Sequence, residues 1–133
     1  MSRLKSRIAD FLRDSEGTAT IEFLLWMPIL TAVICLSADT ALFFGYKATV
    51  LRIVDDANRS ASIGRLTTAA ATKTYIQGKL GSLNAHATVS VTMSNGLVVT
   101  TVSIPTKYVT ATGALSGLSV VNLYVIGQHL LET

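Results

Sequence analysis

The sequence predicts an α+β protein: a long N-terminal membrane-spanning helix that extends into a small domain holding an antiparallel sheet of about three or more strands. Three observations predict it. Residues 23–38 carry no charge at all. Beyond them, Val50, Ile53, Val54, Ala57 and Ala61 keep a 3.6-residue apolar period. From Ala87 the period falls to two on either side of Asn95-Gly96, the strongest short hairpin signal. The 133 residues suffice for one small domain. Half of them are hydrophobic, 14% are charged, and the mean hydropathy of +0.49 is high for a soluble domain.

In chain order, residues 1–17 are polar and amphipathic. Leu4, Ile8, Phe11 and Leu12 recur at helical spacing among Arg3, Lys5, Arg7 and Arg13, so the stretch can lie along a membrane surface. Asp10, Asp14 and Glu16 offset much of that charge. Gly17 then weakens the helix, by about 1 kcal/mol relative to alanine. The uncharged run that follows spans roughly 24 Å as a helix, short of a ~30 Å hydrocarbon core. Continuing through Asp39 to Phe44 and Tyr46 completes the span, which places the transmembrane part at about 21–46. Trp26 and Tyr46 suit the two interfaces. Pro28 removes one backbone hydrogen bond and marks a place for a kink.

Two acidic residues border this run. Glu22 stands at its mouth, where a carboxylate is either hydrated among headgroups or paired with a cation of a neighbouring chain. Asp39 reads as the hydrated start of the following domain; pairing with a basic residue of a partner helix is the alternative. A secretory signal peptide is a minor reading. The apolar run is slightly too long, Glu22 is unusual at its entrance, and a cut after Ala38 puts Leu36 where a small residue belongs.

The long helix is expected to end near Gly64 or Arg65. A second helix follows over Ala69–Leu80, with Thr67 or Thr68 as cap and Gly81 as stop, although Gly78 lies inside it. In the hairpin, pairing Ser94 with Leu97 sets Met93 against Val98, Val91 against Thr100, Val89 against Val102 and Ala87 against Ile104. One face is then nearly all apolar, and the other carries Thr and Ser with Val99 as the exception. Pro105 ends the second strand. Residues 106–119 read as a loop with a short helical turn. Val120–Gln128, apolar on both faces, reads as a central strand.

Little here suggests chemistry. The basic residues are scattered, which speaks against nucleic acid. Cys35 is alone, so no intramolecular disulfide forms, and no Cys/His cluster suggests zinc. His86 and His129 have no carboxylate or thiol placed for a triad, and each reads as a strand or edge residue. No Gly-x-Ser-x-Gly occurs. The expectation is a protein that is not an enzyme and needs no cofactor or metal.

The segment Asp14-Ser15-Glu16-Gly17-Thr18-Ala19-Thr20-Ile21-Glu22-Phe23-Leu24-Leu25-Trp26-Met27-Pro28 resembles the N-terminal signature of the TadE/TadG-like proteins. These are pseudopilins, or minor pilins, of the tight-adherence (Flp-type) pilus machinery. Gly17, Glu22, Phe23 and Pro28 match residue by residue; beyond residue 65 only the layout is similar, and Asp39 departs from the pattern. The resemblance implies a cytoplasmic leader (1–17), removed by a prepilin peptidase that cuts between Gly17 and Thr18. It implies a long helix (18–65) anchored in the bacterial inner membrane, with a cytoplasmic N-terminus, and a small periplasmic α+β domain (66–133). Charge cannot fix the orientation, because Arg3, Lys5, Arg7 and Arg13 are matched by Lys47, Arg52, Arg59 and Arg65.

The resemblance also gives Glu22 and Phe23 a part in processing and assembly. A new amine on Thr18 is largely a cation at neutral pH, and Glu22 of an adjacent parallel helix can pair with it, fixing axial register. The implied partners are the prepilin peptidase, other pseudopilins, the major pilin, the inner-membrane assembly platform and the lipid bilayer. A reading of another class is an uncut, membrane-anchored periplasmic binding domain whose sheet recognises a peptide or glycan.

Overall fold

A computed structural model describes residues 15–118 and 122–132. Helix α1 (Ser15–Ser62) is followed by α2 (Ala69–Leu80), a 3₁₀ turn (Gly81–His86), strands β1 (Thr88–Ser94) and β2 (Leu97–Pro105), a second 3₁₀ turn (Thr106–Tyr108), a short α3 (Ala114–Leu118) and β3 (Asn122–Leu130). The architecture is α+β with one three-stranded antiparallel sheet in the order β1-β2-β3. The chain divides into two compact units, one up to Cys35 and one from Leu36 onward.

In the first unit, α1 runs unbroken through Gly17 and Pro28. Gly17 therefore does not break the helix: its cost of about 1 kcal/mol is too small to end a helix of this length. The amphipathic pattern of residues 1–14 lies outside the described residues. Every residue from Thr18 to Ile34 is exposed, and most of them are large and apolar. This helix is long and apolar enough to cross a membrane.

The second unit is built on the stripe foreseen from the period of 3.6. Val50, Val54 and Ala57 of α1 are fully buried against Ile76 of α2 and against Val102, Ile104 and Leu123 of the sheet. α1 stops at Ser62, slightly before the expected Gly64 or Arg65. Gly64 takes a φ of 76°, and the Ser60 carbonyl accepts from both the Arg65 and Leu66 amides, which uses up the free end of the helix. The bounds of α2 agree with the sequence, and the Thr68 hydroxyl caps it by accepting from the Ala71 amide at 3.1 Å.

The hairpin has the expected register, from Ser94 opposite Leu97 to Val89 opposite Val102. Asn95 and Gly96 take φ of 52° and 72°, as a two-residue turn requires. The ladder begins at Thr88 opposite Ser103, so the expected Ala87–Ile104 pair is not part of it. Val89, Val98 and Val102 are buried, while Val91 and Met93 are half-buried.

Two expectations are corrected. The last strand begins at Asn122, and it is an edge strand; Val120 lies outside the described residues. Its second apolar face is not covered: Leu123 and Val125 are buried, but Tyr124 and Ile126 are 57% and 60% exposed. His86 is not in a strand. It ends the first 3₁₀ turn and stacks on Tyr108, with ring centroids 3.5 Å apart. His129 lies in β3, as expected of an edge residue.

Candidate functional site

The residues singled out by sequence lie together at the start of α1. Gly17 and Thr18 are helical, and Thr18, Glu22 and Phe23 are exposed. Thr18 and Glu22 are four residues apart, about 6 Å along the axis and on one face. The Glu22 side chain has no hydrogen-bond or ion-pair partner within the chain among the described residues. Phe23, at 56% exposure, follows Ile21 in the exposed apolar surface.

Asp39 is the polar residue whose surroundings sequence reasoning missed. It is not hydrated; it is fully buried. Its Oδ1 accepts from the Ala111 amide at 3.0 Å and the Thr112 amide at 2.8 Å. Its Oδ2 accepts from the Thr112 hydroxyl at 2.8 Å, the Ala114 amide at 2.7 Å and, at a longer 3.4 Å, the Leu115 amide. The donors come from the first turn of α3 and the loop before it, where orphan backbone N–H groups collect. Gly113 between them has a φ of 77°. The carboxylate of α1 thus caps α3, a task usually done by a residue local to the helix end. All five donors are neutral, so the charge is held by hydrogen bonds rather than by a countercharge.

A second buried polar group sits where α1 crosses the sheet. Asn58 Oδ1 accepts from the Thr100 hydroxyl at 2.6 Å, and both residues are fully buried. Thr100 pairs with Gly127 across the ladder. A Cβ on Gly127 would lie 2.5 Å from Val54 Cγ1 and 2.9 Å from Asn58 Nδ2. Glycine at this position therefore sets how closely helix and sheet approach.

On the surface, Arg52, Asp55, Asp56 and Arg59 line an open groove with His129 of β3. The Tyr75 hydroxyl donates to Asp56 Oδ2 at 2.6 Å, and that bond raises the Tyr75 phenol above its ordinary range. Among the described residues, no group of three or more His, Cys, Asp or Glu side chains is placed to hold a metal ion.

Comparison with family models, with curated proteins and with solved structures finds no match for this chain.

Proposed function

We propose that this chain is a pseudopilin of a tight-adherence, Flp-type pilus system. A prepilin peptidase removes the leader after Gly17. The apolar part of α1 that begins at about Ile21 holds the protein in the bacterial inner membrane, and the domain built on the sheet stands in the periplasm. There the subunit joins other pseudopilins, the major pilin and the assembly platform.

The observation that carries this reading is the coincidence of two features on one helix. The Gly17–Phe23 signature is followed at once by apolar side chains exposed on every face. A soluble protein does not leave so large a continuous apolar surface in water. Glycine before the cut suits a protease site that takes extended backbone, and Thr18 then becomes a free amine one turn from Glu22.

The test is the N-terminus of the protein from a host with an active prepilin peptidase. Intact mass and N-terminal sequencing are expected to give Thr18, and Gly17→Leu to abolish the cut. A chain beginning at Met1 or Ser2 in that host overturns the reading. Once cutting is seen, Glu22→Ala should leave it intact but lower cross-linking to partner pilins. Equal yields for Glu22→Ala and wild type would remove the pairing of Glu22 with a Thr18 amine.

A further inference from the structure

The domain from Leu36 onward has two unlike ends. At one, the Leu131 amide donates to the Gly96 carbonyl and the Glu132 amide to the Ser62 carbonyl, so the hairpin turn and the end of α1 lie together. Arg59, Arg65 and Glu132 bring charge to this end. At the other, Asp39 is held by α3 and the loop before it. Around that clasp the charge runs out. Residues 40–46 carry none, and from Tyr108 to Leu131 there is no Asp, Glu, Lys or Arg. Ala38, Ala41, Leu42 and Phe44 of α1 are exposed, and so is Gly117 of α3.

Two kinds of group at this end are costly away from water: a carboxylate, and the N–H groups of backbone outside a helix or sheet. Here each satisfies the other. The Asp39 oxygens accept from the amides of Ala111, Thr112, Ala114 and Leu115 and from the Thr112 hydroxyl. The Thr40 hydroxyl donates to the Leu36 carbonyl of its own helix at 2.7 Å. Non-helical backbone can enter a membrane when its polar groups are satisfied within the protein. A bare carboxylate would fix the membrane boundary ahead of Asp39; one already furnished with donors does not.

We infer that this end of the domain is seated in the lipid bilayer, with Asp39, the loop that binds it and the start of α3 inside the membrane interface. The inference rests on α1 being a membrane helix and is independent of the pilus reading. Lipid is the occupant because the uncharged, exposed surface of Ala38–Gly45 continues, on one unbroken helix, the apolar surface that runs from Ile21 to Ile34. The next charges, Lys47 on α1 and Lys107 ahead of the loop, are both cations, which suits lipid phosphate groups. Lys107 Nζ stands 4.8 Å from the ring centre of the exposed Tyr108, and tyrosine is itself a residue of membrane surfaces.

The experiment uses the full chain in vesicles of phosphatidylcholine and phosphatidylglycerol, with Cys35→Ser removing the native thiol. Single spin labels are placed by Gly117→Cys, where a side chain meets open space, and by Leu42→Cys. Ile29→Cys is the reference within the apolar run, and Ser94→Cys the reference at the far end of the domain. Collisions with oxygen report lipid, and collisions with a water-soluble nickel chelate report water. The labels at Gly117 and Leu42 are expected to meet the chelate several-fold less often than the label at Ser94 does, and to meet oxygen more often. A chain that floats with the vesicles but whose Gly117 label is as open to the chelate as Ser94 overturns this inference alone. A chain that does not float with the vesicles overturns the membrane reading of α1 and this inference with it. Shielding that vanishes when the vesicles are diluted with lipid means that another chain covers this face, and it too overturns the inference.

Discussion

One helix, α1, has two surroundings. From Thr18 to Ile34 its side chains are exposed on all sides and mostly apolar. From Val50 to Ala61 only the stripe of Val50, Val54, Ala57, Asn58 and Ala61 is buried, and Arg52, Asp55 and Arg59 point outward. The difference shows that burial follows arrangement rather than apolar content. A stripe has a direction, so a sheet can pack on it within the same chain. A stretch apolar all round has no direction and needs an apolar surrounding from outside, either lipid or other helices.

The sharpest way to break that contrast is to put the same charge in both stretches. Val54→Asp leaves an unpaired carboxylate in the core and should cost on the order of 4 kcal/mol or more, abolishing cooperative melting of the sheet in the full chain. Ile29→Asp should leave that melting unchanged. It should instead lower the membrane-bound fraction, since aspartate near the centre of a span costs about 2.5–3.5 kcal/mol. Melting that responds equally to both changes would show that the two stretches are not independent.

Next in size is Asp39→Ala, which strips the cap from α3. It should lower the melting temperature clearly, though less than Val54→Asp does. Asp39→Asn should lie nearer alanine than wild type, because one acceptor oxygen is replaced by a donor facing other donors. Hydrogen exchange at the Thr112 and Ala114 amides should rise first; unchanged protection there would remove the capping role.

Smaller effects separate two glycines of the domain. Gly127→Ala should destabilise by about 1–3 kcal/mol, since the new methyl meets Val54 and Asn58. Gly78→Ala has open space around it, so the higher helix propensity of alanine should stabilise by up to about 1 kcal/mol. Thr100→Val should destabilise by about 1–2 kcal/mol, from the loss of the hydrogen bond to Asn58. Urea unfolding of the full chain in micelles reads all three, and a shared sign for the two glycine changes would show the helix–sheet contact at Gly127 to be loose.

What could be read from the sequence was local. The bounds of α2 follow from Thr68 and Gly81, and the hairpin register follows from Asn95-Gly96 together with alternation. The position of β3 was harder, because an apolar face left exposed looks the same in sequence as one covered by a second layer. Tyr124 and Ile126 therefore passed for core. Asp39 could not be read at all. Its donors lie 72 to 76 residues further along, and Thr-Gly-Ala after a polar loop does not indicate which carboxylate will cap it.

The cap at Asp39 also has a mechanical meaning. Its bonds to Thr112 and Ala114 are 2.7–2.8 Å long and join α1 to a loop more than seventy residues away in the chain. Sliding α1 by a single residue moves the carboxylate by about 1.5 Å, enough to pull most of those bonds out of range. Asp39 precedes Val50 by eleven residues, so tension entering the domain from the N-terminal side of α1 reaches this clasp before it reaches the apolar stripe. Short, directional bonds resist such shear stiffly and then fail abruptly, whereas the stripe behind them can yield by slipping. A load carried along α1 would therefore first unseat the segment around α3, leaving the sheet and its helix together.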